Sequence, residues 1–173
     1  MTTVATRRTT GDVAEDASPE HAPAEREPAP RGGPLTLSVA ECRAVLARVG
    51  WGVLATVGDD RPYGVPVGYA LGSDCVYLAS GPGRKRRNLE ANPLVCLTVC
   101  DIETYDCWRS VVIEGEATPV VGIAAHAVAV AAFIAQRAPR ARPGATDVRR
   151  LLAARLLRVP LDAMTGRGRR DAP

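Results

Sequence analysis

Between Gly52 and Ser80 three strand-like runs follow one another with connections of only a few residues: Gly52–Val57 (GVLATV), Pro62–Leu71, and Cys75–Ser80 (CVYLAS). The links are a turn at Gly58-Asp59-Asp60-Arg61 and another at Gly72-Ser73-Asp74. Parallel neighbours need a crossover of about a dozen residues, so links this short force antiparallel pairing. The first two runs read as a β-hairpin and all three as a meander. Leu94–Cys100 (LVCLTVC), Ser110–Thr118 (SVVIEGEAT) and Arg155–Pro160 continue the pattern, giving about six strands. Short strands at close spacing expose many unpaired edges unless the sheet closes, which indicates a small barrel.

Helical signals lie around these runs. Ser38 and Glu41 form a capping box that opens a helix with Val39, Cys42, Val45 and Leu46 at helical spacing and Gly50 as its stop. That helix is expected as an amphipathic lid or a barrel plug. RKRRNLEAN (84–92) reads as a short helix broken by Pro93, and Val121–Arg137 as an Ala-rich helix buried on much of its surface. ARPGAT (141–146) is expected to be a linker, followed by a short helical piece before Arg155. Only 4% of residues are aromatic, so the core must come from Val, Leu, Ala and Ile. At 173 residues, 46% of them hydrophobic, the chain suits one domain. Residues 1–33 lack apolar periodicity and end in EPAPRGGP, as expected of a disordered tail. The domain is expected over 34–167, with a second tail at 168–173. The fold class is therefore mainly β with peripheral helices.

Several function classes lose support at this point. A net charge of +3 with scattered basic residues lacks the basic stripe of a nucleic-acid binder. No apolar run reaches the roughly 18 residues of a membrane span, and the N-terminus has no apolar leader, so a cytoplasmic location is expected. Five cysteines, an odd number without a CxxC pair, read as reduced thiols and offer no metal site. Cys75, Cys96 and Cys100 are expected as small buried hydrophobes. His21 falls in the tail, and His126 reads as a structural residue on the surface or partly buried side of its helix. No paired carboxylates and no Ser/His/Asp set stand out, so no catalytic side chain is assigned. That pattern suits a protein whose chemistry resides in a cofactor.

One segment concentrates charge. Ser80-Gly-Pro-Gly-Arg-Lys-Arg-Arg-Asn-Leu89 joins a strand to a helix start and carries four cations. Glycines allow close backbone approach, the helix start offers free N–H groups, and Arg84 and Lys85 add charge, which together suit a phosphate. A solvated basic loop would look the same. Of 22 basic residues Lys85 is the only lysine, and its place in this loop favours the binding reading.

The order of motifs, GVLATVGDDRPYGVPVGYAL, then VYLASGPGRKRRNLEANPLVCLTV, then WRSVVIEGEA, resembles the FMN-binding split β-barrel family. That family includes pyridoxamine 5′-phosphate oxidase and nitroimidazole-resistance proteins, and the likeness runs from about Leu35 to Val120, more weakly to LRVPLDAMTG. It implies a six-stranded split β-barrel of the FMN-binding type. Val65, Pro66, Val67 and Gly68 would face the isoalloxazine through their backbone, after the apolar Leu54-Ala55-Thr56. Leu78, Ala79 and Ser80 would flank the ribityl chain and ring edge, and Arg84 and Lys85 would bind phosphate. Trp108, Arg109 and Ser110 would reach the cofactor of the other subunit, which implies a homodimer; Trp108 as a simple barrel-end cap is the alternative.

The resemblance implies an FMN-dependent oxidoreductase passing a hydride through flavin N5 to a small planar or conjugated substrate. A carrier or sensor of the same fold, or a protein using deazaflavin or haem, would share these motifs. Two departures narrow the transfer. Ala79 stands where many nitroimidazole-resistance relatives have a His, and MTGRGRRDAP lacks the Arg/Trp/Pro-rich ending of the vitamin B6 oxidases.

Overall fold

The structure, a computed structural model, describes residues 33–137 and 145–169, with side chains in the second part described from Val148. The expected tail through residue 32, His21, most of the 141–146 linker and residues 170–173 lie outside the described residues. Nine antiparallel strands among the described residues form one curled sheet, and four helices pack around it. In chain order the elements are β1 (Leu35–Thr36), α1 (Val39–Val49), β2 (Trp51–Gly58), β3 (Arg61–Leu71), β4 (Cys75–Ser80), α2 (Arg84–Ala91) and β5 (Leu94–Ile102). They continue as β6 (Trp108–Glu116), β7 (Thr118–Pro119), α3 (Ile123–Arg137), α4 (Ala145–Ala153), β8 (Arg155–Pro160) and β9 (Ala163–Arg169). The sheet order is β1-β9-β6-β5-β2-β3-β4-β8-β7.

Local chemistry places the elements that position the cleft. Asp59 and Asp60 both adopt positive φ, 53° and 55°, so the two-residue link twists with its strands and fixes β2 against β3 from Trp51↔Gly68 to Gly58↔Arg61. The Ser38/Glu41 capping box forms as expected, and Gly50 ends α1 in the left-handed conformation at φ 74°. Cys42, Val45 and Leu46 of α1 are buried against Leu54, Leu97, Val99, Val111 and Ile113, so the helix plugs the barrel. The buried Tyr69 hydroxyl donates to the Leu46 carbonyl at 2.9 Å, and Gln136 of α3 donates to the Leu46 and Ala47 carbonyls. These contacts satisfy the terminal carbonyls that a helix leaves unpaired.

Four expectations change. The strand count exceeds six because the two-residue strands β1 and β7 add the edges of the sheet and because MTGRGR, though poor in alternating apolar residues, forms β9 between β1 and β6. Gly168 and Arg169, expected in the C-terminal tail, pair there with Arg109 and Trp108. The glycines matter: a Cβ at Gly166 would collide with the Cys42 Sγ, so α1 can lie directly on this strand only because the residue has no side chain. α3 is less covered than its composition implies. It buries Ala129, Val130 and Phe133 against Ala70, Leu151 and Leu156, while Ile123 and Val128 face outward. Cys75 is buried as expected, but Cys96 is only partly buried and Cys100 is exposed, because alternation turns both to the outer face of β5.

Candidate functional site

The split that defines the site lies between β3 and β4. They pair over only three positions, Tyr69↔Leu78, Ala70↔Tyr77 and Leu71↔Val76, and then part. From Arg61 to Gly68, β3 is paired to β2 on one side and, among the described residues, to no strand on the other. Pro62 and Pro66 fit there because an open edge has no ladder bond for their missing N–H to break. The chain leaving β4 crosses this gap through Gly81-Pro82-Gly83 and enters α2.

α2 is held over the end of β2 by a short polar chain. Asn88, buried, donates from Nδ2 to Thr56 Oγ1 at 3.1 Å, and Thr56 Oγ1 donates to the Tyr63 carbonyl at 3.3 Å. A Cβ at Gly58 would clash with the Asn88 side chain, so Gly58 is what lets α2 come down onto β2. One turn earlier the Arg84 guanidinium stacks over the Tyr63 ring, 4.6 Å from its centroid, a cation–π contact that spans the gap from α2 to β3. The sequence alone does not single out Asn88, Thr56, Tyr63 and Gly58 as site residues. The signal it carries is spacing, since Asn88 lies four residues after Arg84 and so shares its helix face.

Lys85 occupies the mouth of the gap. Its Nζ donates to the Ala79 carbonyl at 3.2 Å, the side chain is half-buried, and no carboxylate among the described residues pairs with it. Burial pulls its pKa below the ordinary lysine range. α2 begins at Gly83 (φ 135°) with no side-chain cap, so its first-turn N–H groups stay available, and a Cβ at Gly81 or Gly83 would meet nothing within 4 Å. The two cations, the free amides and the unobstructed glycine backbone thus belong to one short segment, Gly81 to Lys85.

The other expected residues divide. Pro66 and Gly68 are exposed, with Gly64 beside them, and a Cβ on Gly64 or Gly68 would find no atom closer than 3.4 Å, so this strip of β3 is flat and unobstructed. Val65 and Val67 turn inward onto the core, leaving only their backbone at the edge. Leu78, 1% exposed, lies inside the barrel and presents no side chain to the gap. Ala79 contributes its carbonyl, whereas the Ser80 hydroxyl is buried in a different cavity, lined in part by Arg155 and Leu157.

Trp108, Arg109 and Ser110 begin β6, three strands from β3, or roughly 14 Å at ordinary strand spacing. Within one chain no hydrogen bond or ion pair among the described residues joins them to Lys85. Trp108 and Ser110 alternate onto the outer face with Val112, while Arg109 points the other way and pairs with Asp101 at 3.3 Å, beside Arg48 of α1. No group of three His, Cys, Asp or Glu side chains suited to a metal occurs among the described residues. Among these residues no helix is long and apolar enough to cross a membrane.

Comparison with known proteins gives the family and relatives of the fold. In solved structures, the chain resembles a FAD-binding protein of Mesorhizobium loti at 28% identity and TM-score 0.62, covering 79% of this chain and 99% of that one. It also resembles the FAD-binding protein of Mycobacterium smegmatis at 24% identity and TM-score 0.60, covering 79% and 100%. An uncharacterized protein of Rhizobium meliloti is 37% identical over 79 residues, 46% of this chain and about half, 52%, of the relative. The family model described as pyridoxamine 5′-phosphate oxidase matches residues 38–168, nearly the whole described domain, and the chain belongs to that family.

Proposed function

We propose that this protein is a flavin-dependent oxidoreductase that holds FMN in the cleft between β3 and α2 and acts on a small planar or conjugated substrate. The observation that carries the reading is the half-buried Lys85 ammonium, facing the gap without a carboxylate partner among the described residues. A desolvated cation without a counter-charge is unfavourable, and a phosphate supplies what is lacking. Arg84 adds a second cation and the uncapped start of α2 adds N–H donors. The flat strip Gly64-Val65-Pro66-Val67-Gly68 gives a ring system a wall without projecting side chains and an unpaired backbone edge for its polar rim. The FAD-binding names of two structural relatives support a flavin.

When bound, a flavin supplies hydride transfer through its N5. The chain's own part is to fix the phosphate with Lys85 and Arg84, align the ring along β3 and keep that apolar wall dry. The reading includes a homodimer, since only a second copy would carry Trp108 and Ser110 to a cleft three strands away. It also includes a cytoplasmic location, in keeping with cysteines of which Cys42 and Cys75 are buried as thiols.

The visible spectrum of the purified protein, before and after loading with FMN, is the first test. Bands near about 375 and 450 nm support flavin; a single band near about 420 nm points to deazaflavin and one near about 400 nm to haem. Absence of any retained chromophore after loading would sink the reading. Reoxidation of the reduced protein by candidate acceptors faster than by oxygen alone distinguishes an enzyme from a carrier.

A further inference from the structure

A second cavity, of about 310 Å³, lies between α2, the end of β4, the start of β8 and the corner from β6 to β7. Its volume falls at the small end of ligand pockets, about 300–1,000 Å³. Neither Lys85 nor any residue of β3 lines it, so it is distinct from the cleft assigned to flavin. Leu89, Pro93, Pro119 and Leu157 make its apolar surface.

Two independent observations point to a ligand. Ser80 lines the cavity, is 3% exposed, and its Oγ has no hydrogen-bond partner among the described residues, whereas buried hydroxyls are ordinarily paired. The charges of the lining are also divided. At one end Arg86 Nε and Arg155 Nη1 both donate to the same Glu90 oxygen, each at 2.9 Å, leaving two cations on one carboxylate. Ser80 lies opposite Arg155 in the β4–β8 register, so the unpaired hydroxyl belongs to this positive end. At the other end Glu116, aligned with Leu94 just past α2, makes no ion pair among the described residues. In the β7–β8 register, Thr118↔Arg158 and Pro119↔Leu157, Glu116 lies before the paired stretch at one end and Arg155 beyond it at the other, which sets the two charges apart.

We propose that this cavity is a site for a linear zwitterion of the ω-amino acid class. Its carboxylate meets Arg86, Arg155 and the Ser80 hydroxyl, its ammonium meets Glu116, and its methylene chain lies along Leu89 and Leu157. An α-amino acid, with both charges on one carbon, does not span the two ends.

Isothermal titration of the purified full chain with 6-aminohexanoate, hexanoate and hexylamine tests this. We expect one 6-aminohexanoate per chain, bound at least about tenfold more tightly than either singly charged analogue. Glu116→Gln, a conservative change at an exposed position, should lower 6-aminohexanoate affinity to the hexanoate level without altering flavin content. Ser80→Ala should weaken 6-aminohexanoate by about three- to tenfold. No saturable heat from 6-aminohexanoate up to roughly 10 mM, or equal affinity in wild type and Glu116→Gln, would overturn the proposal.

Discussion

Lys85, half-buried and without a carboxylate partner among the described residues, carries a charge that opposes folding. Burial lowers its folded pKa, so below that pKa the unfolded chain holds the proton more readily and the ammonium works against the fold. The opposition fades as pH rises from the folded pKa to the unfolded one. Lys85→Met, which keeps the stem and removes the charge, should therefore raise the melting temperature of flavin-free protein at neutral pH. The same position should discriminate flavins. A charge-assisted contact contributes about 1.5–3 kcal/mol, so Lys85→Ala should weaken FMN by roughly ten- to a hundredfold and leave riboflavin, which has no phosphate, nearly unaffected. Titrating both flavins into both proteins decides it, and equal losses for the two would place the phosphate elsewhere. FMN affinity of the wild type should also fall at a lower alkaline pH than an ordinary lysine would give, since the ammonium loses its proton sooner.

At the scale of elements, the seating of α2 controls whether the cations are in place at all. Among the described residues, the Asn88–Thr56–Tyr63 chain, fitted into the Gly58 gap, is the polar anchorage between α2 and the hairpin, joined only by the Arg84–Tyr63 stack. Asn88→Ala removes the amide that donates to the buried Thr56 hydroxyl, leaving it the Tyr63 carbonyl alone, and we expect a loss of about 0.5–1.5 kcal/mol in urea unfolding together with weaker FMN binding. Unchanged stability would mean that water replaces the amide without cost. The hairpin turn offers the opposite change. Asp60 holds φ at 55°, a left-handed conformation costly to a residue with a Cβ, so Asp60→Gly should stabilise by about 0.5–1 kcal/mol in the same assay.

For the whole molecule, the outer face of the sheet is the surface that matters. Trp51, Val53 and Val57 of β2 and Leu94 and Ile102 of β5 are all exposed on that face, which Trp108 and Ser110 share. An apolar surface of this kind is ordinarily covered, and a second copy of the chain is the occupant our functional reading requires. Val53→Asp, at the centre of the face, should convert a sedimenting dimer into a monomer and release flavin with it. A wild-type monomer with full flavin occupancy would exclude the shared site. Removing residues 1–33 is expected to leave folding and flavin binding intact, since that segment carries no apolar periodicity; loss of either would show that it takes part in the domain.

Features encoded by neighbours in the chain are legible in the sequence itself. The Ser38/Glu41 cap, the Gly50 stop, the two-residue hairpin at Asp59-Asp60 and the glycine-flanked entry to α2 all depend on residues within a few positions of one another, where side-chain chemistry and φ preferences act directly. What depends on distant segments meeting is not legible there. That β3 pairs with β4 only from Tyr69 onward, that Asn88 reaches Thr56, 32 positions away, and that Arg109 turns inward to Asp101 while Trp108 and Ser110 turn outward are outcomes of packing and register. A run such as MTGRGR becomes a strand because β1 and β6 flank it and α1 needs its glycines. Local signals set most of the elements and their order, but not β9. The cleft itself exists only because tertiary packing holds β3 apart from β4 and lowers α2 across the opening, and no short-range pattern records that separation.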